Sequence, residues 1–332
     1  MKVIKNFIIF FIFLLTTNVH SNDDSFSTWL KSFKKLALKN NISEKTFTKT
    51  MSKVKFLPKV IEYDRFQPEF YEDTITYINK RSSNKKIKKG INLYSENKLL
   101  ISSISKKFSV EKELLLALMA IETNYGTYVG KMDILSSLAT LSYDKRRSDF
   151  FTKELITILQ LIEEDIIDYK ILYGSWAGAF GNFQFMPSTI KNYAIDYNSN
   201  DVIELHSLED SFASAANYIN KMGWNDNRPC FAKINLSSDV PMELLNTSAR
   251  NIKNKKKLNY FKKYITDYDK LTIDKNLKAA IITPDKEIVE NANKLSPAYL
   301  VFDNYELILK WNRSLRFALA VCTLKDKFTN EL

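Results

Sequence analysis

The chain has 332 residues, of which 45% are hydrophobic, and 49 lysines and arginines against 38 acidic residues give a formal net charge of +11. This composition is typical of a folded globular protein, and the length allows two or three domains. With only two cysteines and two histidines, the chain cannot be a disulfide-rich scaffold, an HExxH metalloprotease or a three-histidine zinc enzyme.

Residues 1–21 have the pattern of a cleavable secretory signal peptide. A basic start precedes an unbroken apolar run from Phe7 to Leu15, and Val19 and Ser21 stand at the expected cleavage positions. The run is shorter than the roughly 20 apolar residues that span a bilayer, and no cysteine near the cleavage position supports a lipid anchor. We therefore expect export to the periplasm.

The basic charge favours an anionic partner. Removal of residues 1–21 takes away two lysines and no acids, which lowers the formal charge from +11 to +9. The densest basic runs lie at 85–89 and 253–257, and such runs are typical of solvated surface. Because the protein is expected to be exported and has no base-reading motif, an anionic cell-wall polymer fits better than nucleic acid.

The coarse pattern predicts a mainly helical (α+β) protein. Apolar residues recur at helical spacing through 22–109, where Pro58 and Pro68 interrupt them, and the helical pattern continues through 110–224. Six of the seven glycines lie in this second segment, which predicts irregular backbone there.

The character of the sequence changes after residue 224. Three short β-type runs, Cys230–Leu236, Ala279–Thr283 and Tyr299–Phe302, predict a small strand-containing insertion over 225–303. The helical pattern returns over 304–332, which we expect to pack back on the central segment.

Glu122 directly follows the apolar run from Leu114 to Ile121. On a helix it shares a face with Leu114, Leu115 and Leu118. Burying a carboxylate there costs several kcal/mol unless it is partnered, so we expect its pKa to rise towards the value that a general acid needs. The alternative is a structural glutamate paired with lysine or arginine.

A second signal is the glycine-rich stretch from Gly174 to Pro187. Its three glycines would let the backbone approach a ligand closely. The hydrogen-bonding side chains are Ser175, Asn182 and Gln184, and the candidate stacking rings are Trp176, Phe183 and Phe185. The rings could stack on sugars, and the spacing matches neither common nucleotide-binding loop, which makes a nucleotide ligand improbable. An ordinary loop without a ligand is the alternative.

These motifs together resemble the B-type lytic murein transglycosylases, glycoside hydrolase family 103. The resemblance rests on several segments from about Phe26 to the end, which are Leu57–Phe70, Ile121–Gly126, Leu138–Ser142, Arg146–Arg147, Gly174–Pro187, Ala216–Tyr218 and Trp311–Ser314. It implies a lysozyme-like catalytic core over 110–224.

The resemblance also implies a reaction and its catalytic acid. Members cleave the bond between N-acetylmuramic acid and N-acetylglucosamine without water, and the C6 hydroxyl closes onto C1 to give a 1,6-anhydro end. Glu122 would be the acid and then the base, without a required cofactor. This agrees with the single carboxylate that stands out in the sequence, whereas ordinary glycosidases use two.

Further roles follow from the resemblance by position. The residues implied to bind the glycan or its peptide are Ser175, Gln184, Tyr218, Asn312, Arg146, Arg147, Tyr77 and Phe185. Three positions depart from the family by replacing tyrosine, namely Phe150, Trp311 and Phe317. We expect the aromatic faces to persist and the hydroxyl hydrogen bonds to be lost.

The resemblance also points to an EF-hand-like calcium loop with ligands Asp196, Asn198, Asn200 and Asp210. Two of the four are neutral and Asp201 replaces the usual glycine, so an Asn/Asp-rich turn held by its own side chains is the alternative. The only two cysteines, Cys230 and Cys322, lie 92 positions apart, and pairing between them is left open.

Three other functions compete with a lytic transglycosylase. A hydrolytic muramidase would need a second carboxylate, a murein-binding scaffold would have lost turnover, and a nucleic-acid binder would use the charge alone. Peptidoglycan glycan strands are the expected partner, and proteins of cell-wall synthesis or division are further candidates.

Overall fold

A computed structural model describes residues 25–66, 72–286 and 288–332. The predicted signal peptide and Pro68 lie outside these residues. Within them, no helix combines the length and the apolar character needed to cross a membrane.

The fold is mainly helical with two small sheets, which confirms the predicted fold class. The helices, in chain order, are α1 (25–39), α2 (Glu44–Met51), α3 (Pro58–Arg65), α4 (Thr74–Arg81), α5 (Asn84–Glu96), α6 (Lys98–Phe108), α7 (Lys112–Thr123), α8 (Ile134–Tyr143), α9 (Ser148–Glu163), α10 (Pro187–Tyr193), α11 (Leu208–Lys221), α12 (Asp303–Trp311) and α13 (Leu315–Thr329). The strands are β1 (Met132–Asp133), β2 (Tyr173–Gly174), β3 (Phe231–Ile234), β4 (Leu245–Asn246), β5 (Lys256–Lys257), β6 (Lys278–Ile282) and β7 (Ala298–Val301).

Helix α7 lies at the centre of the helical core. Its seven consecutive residues from Leu114 to Ala120 are all at most 1% exposed, as expected for a helix that neighbours surround on every side. Helix α13 packs along α7, so the C-terminal segment does return to the core. The predicted helical pattern over 304–332 is broken once, at residues 312–314, where Ser314 caps α13 by accepting a hydrogen bond from the Phe317 amide.

Proline and capping residues set several other helix ends. Pro58 occupies the first turn of α3, where its missing N–H costs nothing, so it begins a helix rather than interrupting one. Asp73 caps α4 by accepting from the Thr76 amide at 2.9 Å.

The larger sheet has the order β3-β7-β6-β4, and β5 pairs with β6. Strands β3, β6 and β7 coincide with the three predicted runs, and Ile281 lies opposite Leu300 in the β6–β7 register. This sheet has a hydrophobic cluster of its own, which includes Ile234, Phe261 and Leu300. Domain boundaries at 109, 224 and 303 stay a prediction.

Two covalent or charged links attach the sheet segment to the helices. A disulfide joins Cys230, beside β3, to Cys322 on α13, with a Cα–Cα distance of 6.1 Å. Asp285, which follows β6, accepts hydrogen bonds from the Thr74 amide at 3.0 Å and from Arg316 of α13 at 3.1 Å. The disulfide answers the question, left open by the sequence, of whether Cys230 and Cys322 pair.

Candidate active site

Glu122 is the penultimate residue of the central helix α7. It is half-buried, at the point where the fully buried part of the helix gives way to a loop. The helix stops because Asn124 and Tyr125 both adopt left-handed backbone conformations, with φ of 50° and 59°. Thr123 donates its hydroxyl to the Asn182 carbonyl at 2.7 Å, which fixes the end of α7 against the glycine-rich stretch.

Trp311 at the end of α12 is a hydrogen-bond partner of Glu122. Its indole Nε1–H donates to Oε1 of Glu122 at 3.0 Å, across 189 positions of sequence. The expected loss of the family's hydroxyl hydrogen bond stays a prediction at position 311, where the indole supplies a hydrogen-bond donor of its own. At Phe150 and Phe317 no such donor exists, and Phe317 is only 3% exposed.

Trp311 belongs to an aromatic cluster. The Tyr218 ring stacks on it, with centroids 5.1 Å apart, and Tyr193 stacks on Tyr218 at 4.4 Å. Burial, and then the neighbouring Tyr193, raise the pKa of Tyr218, so its hydroxyl stays protonated at neutral pH.

Phe183 and Phe185 lie inside this cluster rather than on its surface. They are 1% and 3% exposed, and both rings contact Trp311. The expectation that they stack on sugar rings does not match this burial. Their packing instead supports Trp311, and the half-buried rings of Tyr218 and Trp311 are the ones available to a ligand.

A cavity of about 660 Å³ opens beside Glu122. Three lysines of α5 line it, namely Lys85, Lys86 and Lys89, and among the described residues of its lining Glu122 is the only acid. Lys86 donates to the Ala120 carbonyl and Lys89 to the Asn124 carbonyl at 2.8 Å, so both cap the C-terminal end of α7. Burial, and then repulsion by Arg81 and Lys89, lower the pKa of Lys86.

The glycine-rich stretch folds into a tight loop beside this end of α7. The Ser175 amide donates to the Ala179 carbonyl at 2.7 Å, and the Ser175 hydroxyl accepts from the Ala179 amide at 3.0 Å. A Cβ added at Gly174 would lie 2.2 Å from the Ala179 carbonyl oxygen. This glycine therefore allows close packing within the loop, which differs from the expected approach to a ligand.

Two amide side chains brace the same loop. Asn182 is 4% exposed and donates to Ser211 at 3.0 Å, so it holds the scaffold rather than a ligand. Gln184 adopts a φ of 50° and donates its side-chain amide to the Val129 carbonyl at 3.1 Å. Since that N–H bond leaves the amide oxygen with acceptor capacity, Gln184 still has a group to offer a sugar.

The two predicted carboxylate-binding arginines already hold a carboxylate of the protein. Arg146 donates to Oδ2 of Asp64 at 2.9 Å and Arg147 donates to the other oxygen, while the Asp64 side chain on α3 is 1% exposed. The Nε–H of Arg147 is buried and has no hydrogen-bond partner in the described parts of the chain. The side chains of Arg146 and Arg147 are 47% and 38% exposed and are held in place by Asp64.

Tyr77 and Asn312 complete the predicted set. Tyr77 is 1% exposed, with the Arg81 guanidinium 3.5 Å from its ring centroid, so its ring face is covered. Asn312 is half-buried and immediately follows Trp311, and its amide closes α12 by donating to the Ile308 carbonyl at 3.0 Å.

The predicted calcium ligands hold their own loop. Both carboxylate oxygens of Asp210 accept backbone N–H groups, from Tyr197 and Glu204, each at 2.8 Å. Asp196 accepts from the amides of Asn200 and Asp201. These contacts are those of the Asn/Asp-rich turn, and a calcium ion would have to share its oxygens with these N–H groups.

The chain matches the protein family described as "Transglycosylase SLT domain" over residues 25–326. It is 34% identical over 139 residues to the membrane-bound lytic murein transglycosylase B of Escherichia coli strain K12. That alignment covers 42% of this chain and only 38% of the length of that relative.

Solved structures of similar proteins share the fold. SltB3 from Pseudomonas aeruginosa, in complex with NAG-anhNAM-pentapeptide, has a TM-score of 0.80 and 28% identity, covering 92% of this chain and 79% of its own. It was also solved in complex with NAG-NAM-pentapeptide. The Escherichia coli lytic transglycosylase SLT35 in complex with calcium has a TM-score of 0.75 and 22% identity, covering 93% of this chain and 94% of its own. The fold is therefore that of lytic transglycosylases.

Proposed function

The chain belongs to the transglycosylase SLT domain family, and from this membership we propose that it is a lytic transglycosylase acting on peptidoglycan. The bond broken is the β-1,4 link between N-acetylmuramic acid and N-acetylglucosamine, and the product carries a 1,6-anhydro end. The anhydro ligand in the SltB3 structure is the end group that such a reaction yields.

The observation that carries this proposal is a solitary acid in a basic and aromatic site. Glu122 is half-buried, accepts a hydrogen bond from Trp311 and shares its cavity with three lysines. Hydrolytic glycosidases use a pair of carboxylates about 5 to 10 Å apart, and no second acid lines this cavity within the described residues. A single group that acts first as acid and then as base is the chemistry this arrangement supports best.

Trp311 supports a defined geometry for the acid. Indole nitrogen is only a donor, so Oε1 of Glu122 acts as the acceptor, which favours Oε2 as the site of the acid proton. From there it passes to the glycosidic oxygen as the bond to C1 breaks. The C6 hydroxyl then attacks C1, its proton returns to the Glu122 carboxylate, and the acid is regenerated without water entering the product.

The other predicted residues would bind and orient the glycan. Tyr218 offers a half-buried ring and a protonated hydroxyl, while Ser175 and Gln184 offer polar groups from the loop fixed to α7. Arg146 and Arg147, held by Asp64, would meet carboxylates of the substrate with their exposed N–H groups.

The proposed reaction requires no cofactor. Asp196, Asn198, Asn200 and Asp210 would be the residues that hold calcium, and its contribution there would be to the stability of the loop, since no step above uses a metal. The substrate and the predicted signal peptide both favour a periplasmic location.

Digestion of purified murein by the mature protein tests the proposal. Reduction with borohydride followed by mass spectrometry separates anhydro ends, which resist reduction, from hydrolysed ends, which take up hydrogen. We expect anhydro ends only. Reducible ends would mean a hydrolytic muramidase, and binding without any product would mean a scaffold.

A further inference from the structure

We propose that a second cleft, lined by Lys49, Lys53, Lys55, Lys131 and Lys170 and called here the lysine cleft, binds the carboxylate groups of peptidoglycan peptides. It encloses about 970 Å³, and neither Glu122 nor Trp311 lines it. The inference rests on the proposed function for the identity of the ligand. The clustering of the five lysines does not depend on that proposal, because it is observed in the structure.

The lysine cleft carries a concentrated and uncompensated positive charge. Its lining has five lysines against one acid, Asp133, and that carboxylate is already used to cap α8 by accepting from Ser136. Across the described ranges, none of the five lysines takes part in a salt bridge. The five ammonium groups are therefore not neutralised by a carboxylate of the described residues.

These lysines come from three separate parts of the chain. Lys49 lies in the last turn of α2, and Lys53 and Lys55 follow that helix. Lys131 precedes β1, and Lys170 lies in a short 3-10 helix before β2. In a run such as 85–89, the lysines are close together because they are neighbours in the sequence. Here the tertiary fold brings like charges together, which costs stability through repulsion and favours a role in binding.

The lysine cleft adjoins the stretch that carries a predicted substrate residue. Strand β1 pairs with β2, with Met132 opposite Gly174, and Ser175 follows β2 directly. Two tyrosines also line the cleft, and Tyr173 is 55% exposed while Lys49 lies 4.6 Å above the Tyr169 ring. A glycan held at Ser175 would therefore place the groups that branch from it beside these lysines.

Peptide carboxylates are the ligand chemistry that fits. The glycan chain itself is neutral, and the lactyl groups that join it to the peptides are uncharged amides, so the negative charges of intact peptidoglycan lie mainly on its peptide branches. Exposed ammonium–carboxylate pairs are individually weak and are screened by salt, so the cleft would act through several pairs at once. Its effect should be on affinity for peptide-bearing murein and not on the chemical step.

The experiment uses the mature Glu122→Gln protein, so that murein binds without being cut. A triple variant carrying Lys53→Gln, Lys131→Gln and Lys170→Gln is compared with a matched control carrying Lys256→Gln, Lys257→Gln and Lys270→Gln. All six lysines are exposed, and both variants lose the same charge. Binding to intact sacculi is measured by sedimentation, and binding to the soluble, peptide-free glycan strands that an amidase releases from sacculi is measured by calorimetric titration, each at low and high salt.

We expect the cleft variant to bind intact sacculi about tenfold more weakly than its parent at low salt, with little difference at high salt. On peptide-free strands, whose carboxylates are the lactyl groups that the amidase uncovers, the two should bind equally, and the control should match the parent on both ligands. Equal weakening on intact sacculi and on peptide-free strands, equal weakening by the control, or no weakening on intact sacculi would each overturn the inference. The proposed function fails separately, if the protein with Glu122 intact does not cleave murein.

Discussion

The helices around α7 and the sheet between Phe231 and Val301 are stabilised in different ways. The apolar cluster of the helical core also includes one face of the sheet, with Ile282, Tyr299 and Val301, whereas the other face has a separate cluster. The Cys230–Cys322 disulfide and the Asp285–Arg316 pair add specific links between the sheet and the helices. All of the contacts made by Glu122 that are described above lie outside the sheet. Substitution of Glu122 should therefore lower the rate of cleavage without loss of stability, and substitutions at the links between sheet and helices should lower stability without loss of catalytic rate.

The largest effect is expected from a substitution of Glu122, and it should change the rate of cleavage without changing stability. Glu122→Gln keeps the shape of the side chain and removes its acid proton, so the rate of murein cleavage should fall roughly 10³-fold. The melting temperature and murein binding should stay near those of the parent. Activity assays alongside thermal melts check both, and a variant that keeps most of its rate would remove Glu122 from the mechanism.

Asp285→Asn should show the reverse behaviour. It leaves Arg316, whose side chain is 2% exposed, without its buried counter-charge, which costs about 3–5 kcal/mol of unfolding free energy. The rate per folded molecule should be unchanged. Urea denaturation measures the loss, and Asp269→Asn, at a side chain that is 88% exposed, is the matched control.

Removal of the disulfide should have a similar but smaller effect. The bond closes a loop of 92 residues, and the double variant Cys230→Ala, Cys322→Ala should lose about 2–4 kcal/mol of stability. Reduced parent protein should melt at the same temperature as the variant. A reduced parent that melts like the oxidised one would show that the cysteines do not pair.

Trp311→Phe makes the comparison sharper at the active site. It keeps an aromatic ring against Tyr218 and removes the N–H that binds Glu122. A hydrogen bond to the charged carboxylate that forms as the proton leaves Glu122 is worth about 1.5–3 kcal/mol. We expect kcat to fall about tenfold or more with little change in KM. Trp311→Tyr, which restores a donor, should recover part of the rate, and an equal loss in both variants would contradict the assigned role.

Addition of calcium should have the smallest effect of these changes on the melting temperature. Because the Asp196 and Asp210 carboxylates already accept backbone N–H groups, we expect the same melting temperature in millimolar calcium as in a chelator. A calcium-dependent rise that Asp196→Asn abolishes would establish the site.

Local patterns were sufficient to predict much of the fold. The unbroken apolar run before Glu122 identified the central helix, and strands β3, β6 and β7 lay where β-type runs stood between prolines. The β1–β2 pair was missed because strands of two residues have no periodicity to detect. The break between α12 and α13 was missed because both sides carry the same helical pattern.

The contacts of the site were harder to predict, because they join distant positions. Trp311 was recognised as a departure, but only the fold brings its N–H to Glu122 across 189 positions. The one signal in the sequence that could have predicted this contact is that the indole of a tryptophan can donate a hydrogen bond. Likewise, nothing in the sequence around Arg146 and Arg147 points to Asp64, and the lysine cleft is assembled from three segments that have no shared motif.

The central claim is that the C6 hydroxyl, and not water, completes the reaction that Glu122 begins. Digestion of murein in water enriched in oxygen-18, followed by mass spectrometry of the released muropeptides, tests it most directly. We expect new sugar ends without the heavy isotope and one water lighter than hydrolysed ends, and none with Glu122→Gln. Incorporation of oxygen-18 at C1 would contradict the account.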